Sequence, residues 1–195
     1  MILNRLLSLM GLLIAKILFL LRIEGKNNVP LRGAVIIASN HASFLDPILL
    51  GAASRRVLNF MAKEELFHLG IFSKLISNVG TLPIKRGALS KSTIKQALRF
   101  LNQGRALVVF PEGSRSRDGE IGKGESGVVW LARATEALIV PVKISGTDKA
   151  LGVNSTAIRP YPVKVAFGKP LKLSDLEGED LESMSDSLME RIKRL

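Results

Sequence analysis

The sequence predicts an α/β fold: a single domain with a mostly parallel central sheet flanked by helices. Three observations carry that prediction. Short apolar, β-branched runs (Ala34–Ala38, Ala106–Phe110, Leu138–Val142) recur along the chain, and each is too short for a helix. Helical stretches lie between them, and that alternation is the one that builds a parallel sheet. With 195 residues, of which 47% are apolar and 23% charged, the chain suits one domain with a buried core.

The elements follow in order. Residues 1–23, MILNRLLSLMGLLIAKILFLLRI, carry three charges, Arg5, Lys16 and Arg22. A helix over Leu3–Leu21 would be about 28 Å long, near the roughly 30 Å hydrocarbon thickness of a bilayer. The longest uncharged run is only Leu6–Ala15, and Arg5 and Lys16 fall about 20° apart on the helical wheel as one thin polar stripe. That pattern favours a helix lying in the membrane interface, its cations reaching the headgroups, over a spanning or plain core helix. No A-x-A-like cleavage site follows, which counts against a secretory signal. The chain therefore divides into a membrane-associated amphipathic helix over 1–24 and a globular domain over 25–195.

Pro30 and Gly33 punctuate the exit, and Ala34–Ala38 reads as a buried strand. Asp46 and Pro47 open a short helix to about Ala53. Val57–Ala62 is a strand, a helical stretch runs on through Phe67 and Leu75, and Gly80–Ile84 is extended. Ser92–Asn102 is the clearest helix, with Ile94, Ala97, Leu98 and Leu101 as its apolar stripe and Gly104 as its cap. Ala106–Phe110 and Leu138–Val142 are strands, Val163–Phe167 alternates as an edge strand would, and an amphipathic helix starts at Ser174.

Composition narrows the function. Twenty-eight Lys+Arg against seventeen Asp+Glu give a net charge of +11. Ser174–Leu195 holds seven acids and three bases, a net −4, so the first 173 residues carry +15. Such a body suits an anionic partner. A mean hydropathy of +0.24 and a low aromatic count (one Trp, one Tyr, eight Phe) weigh against nucleic acid and toward a membrane surface. The chain has no cysteine, which excludes thiolate metal sites, disulfides and an enzyme thioester. With only two histidines, His41 and His68, a histidine-rich metal centre is not expected, and the absence of G-x-S-x-G leaves a serine hydrolase unsupported. His68 has no partner pattern and reads as structural or surface.

Three segments concentrate reactive groups at predicted strand ends, where open α/β sheets place their sites. Ser39–Asp46 sets His41 five residues before a carboxylate, the spacing that lets an aspartate fix a histidine's tautomer across a turn. By spacing alone, a structural histidine beside a helix-capping Asp46 fits equally well. Phe110–Ser116 (FPEGSRS) offers hydroxyls and a guanidinium around a glycine turn, or else is a polar surface loop. Gly80–Arg86 ends in two adjacent cations, Lys85 and Arg86, which also fit an exposed basic turn. Lys91, Lys95 and Arg99 form one basic helix face, either solvated or in contact with lipid headgroups.

In order, and with Val140-Pro141-Val142, these segments resemble the 1-acylglycerol-3-phosphate acyltransferase family. The resemblance covers roughly residues 25–170. The N-H-x-x-x-x-D block (Asn40–Asp46) and the F-P-E-G-[ST]-R-S block match in full. The second block keeps Gly80 and Arg86 but has Pro83 where an aromatic is common, and Lys123-Gly124 looks like the family's K-G element. The resemblance implies transfer of a fatty acyl group from acyl-CoA or acyl carrier protein to the free hydroxyl of lysophosphatidic acid, giving phosphatidic acid. His41 would act as general base and Asp46 would orient it, with no acyl-enzyme. Acceptor binding would fall to Asn40, Lys85, Arg86, Glu112, Gly113, Ser114, Arg115, Ser116 and Lys123. No metal and no cofactor beyond the acyl donor is implied, and the partners would be membrane lipids and no nucleic acid. The expected location is the cell membrane, peripheral or monotopic; Arg22, Lys26 and Arg32 beside the apolar segment favour the cytoplasmic side. A different lysolipid acceptor and a non-catalytic, basic membrane-binding protein are the competing readings.

Overall fold

The computed structural model describes residues 16–63, 82–84, 91–155 and 157–195. The expected helical stretch through Phe67 and Leu75, His68, the cations Lys85 and Arg86, and residues 1–15 of the N-terminal segment lie outside the described residues.

Among the described residues seven strands make one sheet: β1 (Arg22–Glu24), β2 (Val35–Ser39), β3 (Leu58–Lys63), β4 (Leu82–Ile84), β5 (Ala106–Val109), β6 (Leu138–Ser145) and β7 (Lys164–Phe167). Their spatial order is β1-β7-β6-β2-β5-β3-β4, and every neighbouring pair is parallel except β6 and β7. The centre falls to β2 because Val35-Ile36-Ile37-Ala38 is apolar on both sides, as a strand covered on both faces must be. Side chains alternate across a strand, so Val35 and Ile37 enter one core while Ile36 and Ala38 enter the other. The first core is completed by α1 (Asp46–Ala53) through Leu49 and Leu50. The second is completed by α2 (Lys91–Asn102), α3 (Gly127–Thr135) and α5 (Leu181–Lys193), through Leu101, Leu131 and Ile192. A four-residue α4 (Thr147–Ala150) follows β6.

Three of the expected elements differ from the sequence reading, and α3 was not expected at all. Helix in the N-terminal segment ends by Leu18, Leu20 turns at φ 43°, and Arg22–Glu24 becomes a strand instead of the tail of a helix. The open side of β7 gives this short stretch a row of backbone partners. As a result β7 is an interior strand, not an edge. The last helix starts at Leu181, not Ser174, because the Asp180 side chain accepts the Ser183 N–H there and caps the first turn. Only a short 3-10 turn, Leu173–Asp175, occupies the earlier position. No helix among the described residues is long and apolar enough to cross a membrane.

Candidate active site

β2, β5 and β6 are parallel neighbours, so the loops leaving them open at one edge of the sheet. Asn40, directly after β2, spends its whole carboxamide on β6. Its Nδ2 donates to Ile144 O at 2.9 Å, and its Oδ1 accepts the Ile144 N–H at 2.7 Å. This bracket replaces the backbone pairing lost where β2 ends and fixes the direction in which the chain leaves.

The next turn closes around Asp46, the first residue of α1, which is fully buried. Its Oδ2 accepts the Ala42 and Ser43 N–H groups, each at 2.8 Å, and lies 2.7 Å from His41 Nδ1. A carboxylate only accepts, so Nδ1 carries the hydrogen, and in the neutral ring Nε2 keeps its lone pair. The His41 ring stacks on Phe110, with centroids 4.0 Å apart and planes at 16°. With a 17% exposed side chain, His41 is sheltered but reachable. Ser43 turns its hydroxyl the other way, donating to Leu151 O at 2.6 Å and accepting the Leu45 N–H at 3.1 Å.

The loop after β5 holds His41 by its backbone. Glu112 Oε1 accepts the His41 N–H at 2.9 Å, while Oε2 accepts the Gly122 N–H at 3.1 Å. His41 O in turn accepts the Ser116 N–H at 2.8 Å. The turn needs Gly113, whose φ of 66° is left-handed and whose N–H donates to Phe110 O at 3.1 Å. Arg115 lays its guanidinium 3.6 Å above the Phe44 ring. Its Nη1 is buried without a hydrogen-bond partner among the described residues, as is Asp46 Oδ1. Burial pushes the Arg115 pKa down, and the nearby charge of Asp46 works in the opposite direction.

His41, Asp46, Glu112 and Arg115 therefore converge. Gly113 and Ser114 form the exposed tip of the turn. The Ser116 hydroxyl closes a local turn, donating to Asp118 Oδ1 at 2.8 Å and accepting the Gly119 N–H at 3.0 Å. Lys123 pairs at 2.5 Å with Glu182 of α5, which holds its pKa above the usual lysine range. Three contributions escape the sequence pattern: Phe110 as the platform for the imidazole, Ile144 as the partner of Asn40, and Glu112 as a clamp rather than a free carboxylate. The one available signal was that both motifs follow runs that could be adjacent strands. Among the described residues no group of three or more His, Asp or Glu could hold a metal ion.

A buried carboxylate that fixes a half-sheltered imidazole, beside a guanidinium with an unspent N–H, can take a proton from a bound hydroxyl and hold an anionic group next to it. The class these features define is a general-base site at the carboxyl edge of an α/β sheet. The acyltransferase family profile matches residues 20–145, more than half of the chain, and the chain belongs to that family. A chloroplast 1-acyl-sn-glycerol-3-phosphate acyltransferase of Arabidopsis thaliana is 31% identical over 155 residues, 77% of this chain and 43% of the relative. The 1-acyl-sn-glycerol-3-phosphate acyltransferase of Bacillus subtilis is 27% identical over 179 residues, 89% of this chain and 87% of the relative. The crystal structure of the lysophosphatidic acid acyltransferase PlsC from Thermotoga maritima superposes with a TM-score of 0.77 at 26% identity, covering 89% of this chain and 69% of that one. The chain spans less than half the length of the chloroplast relatives from Arabidopsis thaliana and Brassica napus, 43% and 44%.

Proposed function

We propose that the protein moves a fatty acyl group from an acyl thioester to the free hydroxyl of 1-acyl-sn-glycerol 3-phosphate, forming phosphatidic acid. The observation that carries this reading is the 2.7 Å contact of His41 Nδ1 with the buried Asp46, which leaves Nε2 free in a chain of the acyltransferase family. His41 Nε2 takes the hydroxyl proton as the oxygen bonds to the thioester carbonyl carbon. The imidazolium formed is balanced by Asp46. Collapse of the tetrahedral adduct breaks the C–S bond, and the imidazolium returns the proton to the departing thiolate. No acyl-enzyme is needed, which accords with a chain that has no cysteine. A thioester is already activated, so a general-base contribution of about 10²–10⁴-fold together with positioning is a reasonable demand.

The Arg115 guanidinium, stacked on Phe44 beside His41, is assigned to the acceptor phosphate, and Arg86 is assigned the same task from its motif. The acyl donor is acyl-CoA or acyl-loaded carrier protein, and the location is the cytoplasmic face of the cell membrane as a peripheral or monotopic protein. Thiol release on vesicle-supported protein, with acyl-CoA and lysophosphatidic acid, beside His41→Ala, tests the reading. Acceptor-dependent release that vanishes in the variant is the expected result. Release without acceptor would make the protein a thioesterase, and an unchanged His41→Ala would remove His41 as the base.

A further inference from the structure

Large exposed apolar side chains are unevenly placed on this molecule. The carboxyl ends of β2–β6 share the edge that carries His41, whereas β1 and β7 run the opposite way. The segments leading into β1 and β7 therefore arrive at that same edge. There they are tied together, since Val163 N–H donates to Phe19 O at 2.8 Å and Arg22 N–H to Val163 O at 2.9 Å. From the first segment Ile17 and Leu20 stand out, 70% and 63% exposed; from the second, Ile158 and Tyr161, 52% and 44%. With Phe44 of the turn after β2, five of the eight exposed large hydrophobics among the described residues belong to this edge.

The backbone beneath these side chains is fixed. Arg159 N–H donates to Ala150 O at 2.8 Å, and the Ser155 hydroxyl donates to Ala157 O at 2.9 Å. Ser43 reaches Leu151 from the turn that holds His41, so the segment before β7 borders the site itself. Lys16, Arg22 and Arg159 are exposed on the same rim and make no ion pair among the described residues. Apolar tips on a fixed backbone, ringed by unpaired cations, are complementary to a layer that is oily below and anionic above.

We propose that this rim is a membrane contact additional to the N-terminal segment: Ile158 and Tyr161 insert into the interfacial layer of an anionic bilayer beside the active site, with Arg159, Arg22 and Lys16 on the headgroups. A bilayer suits the rim better than an acidic protein for two reasons. The patch is continuous in sequence with the leucine-rich residues 1–15, and its aromatic member is an amphipathic tyrosine. This surface gives the proposed membrane location specific residues, and it stands or falls apart from acyl transfer. An acceptor lipid could then present its head to His41 while its chain stays in the bilayer.

Because the chain has no cysteine, Ile158→Cys takes a single environment-sensitive fluorophore. Asn102→Cys, exposed at the end of α2 and at the opposite edge of the sheet, is the control site. The labelled full-length chains are mixed with phosphatidylcholine vesicles, with and without phosphatidylglycerol. The expected result is a blue shift with an emission gain of about twofold or more at position 158, quenched by lipids nitroxide-labelled near the headgroup, and no change at position 102. The double variant Ile158→Ser/Tyr161→Ser should lower partition onto the anionic vesicles by about tenfold at an unchanged melting temperature. The proposal is overturned if the 158 label stays silent, whether or not the chain sediments with vesicles. It is overturned equally if that label responds to acidic acyl carrier protein and not to lipid. Thiol release measured on the same samples reports on acyl transfer separately: insertion without transfer refutes the proposed function and leaves the surface intact.

Discussion

Glu112 provides a sharp test of how the site works, because its motif and its geometry suggest different roles. A carboxylate in an acyltransferase acceptor block suggests contact with substrate, yet both of its oxygens are engaged by backbone N–H groups, His41 at 2.9 Å and Gly122 at 3.1 Å. Glu112→Gln keeps the length and one acceptor, but turns an NH₂ group toward the other N–H. Hydrogen bonds to a charged acceptor contribute about 1.5–3 kcal/mol each, and the lower end applies because Glu112 is half-buried. Losing about 1.5 kcal/mol should lower the melting temperature by roughly 3–6 °C for a chain of this size. If half or more of that loss appears as displacement of the imidazole, kcat falls by about 4- to 13-fold while KM for the acceptor moves less than about twofold. Glu112→Ala removes both bonds and should lower kcat by about 100-fold. Steady-state kinetics over an acceptor titration, alongside thermal melts, give both quantities. A KM raised about tenfold with kcat unchanged would show that Glu112 binds the acceptor, and would refute its assignment as a positioning residue for His41.

The other predictions follow from the same geometry. Asp46→Asn preserves shape but removes the charge that balances the imidazolium; thiol-release kinetics should show kcat/KM down by about 10²–10⁴-fold. Asn40→Ala strands the Ile144 N–H and C=O in the interior and should cost about 2–4 kcal/mol, read in a urea titration. Arg115→Lys loses the planar stack on Phe44 and should raise the acceptor KM by about tenfold with a smaller change in kcat. Asp180 has a carboxyl pKa held down by the Ser183 hydroxyl and N–H, so its folded value lies below the ordinary aspartate value of about 3.9. The stabilisation is therefore complete above that value and fades as pH falls through the lower folded one. The gap in melting temperature between the native chain and Asp180→Ala should hold from about pH 8 to 5 and shrink below about pH 4.

What could be seen in the sequence was what depends on local pattern. Strand β2 announces itself because a central parallel strand needs an unbroken apolar run, and Val35–Ala38 supplies one. Helix α2 shows its stripe, and the structure buries Ala97 and Leu101 from it. The His41–Asp46 pair was visible because a five-residue turn is itself local. β1 was hidden, since its three residues owe their state to the open side of β7, about 140 positions away in the chain. α3 was hidden as well, because Val128 and Val129 are β-branched and only packing against α2 and α5 makes that stretch helical. The clamp on His41 was out of reach for the same reason: Glu112 and His41 are 71 positions apart, and only the parallel register of β2 with β5 brings their loops together.

That long-range clamp also explains why an acidic C-terminal helix belongs to this basic protein. Glu112 can hold His41 only if its own loop is held, and residues 111–125 are closed by the Glu125 N–H donating to Pro111 O at 2.9 Å. The far end of the loop rests on α5. Ser185 Oγ donates to Glu125 O at 3.1 Å, and Lys123 pairs with Glu182. Gly124 allows the close approach, since a Cβ there would stand 2.8 Å from Met189 Cγ and Sδ. α5 is fixed in turn by Leu188 and Ile192 in the second core. A path of packed and hydrogen-bonded groups thus runs from that core through α5 and the 111–125 loop to both backbone polar groups of His41. The exposed Lys123–Glu182 pair is worth little by itself. The local stiffness comes from the buried Ser185 and Met189 contacts; Glu182 and Asp186 offset the charge of Lys123 in the loop, while the apolar face of the helix supplies the rigidity that the proposed general base requires.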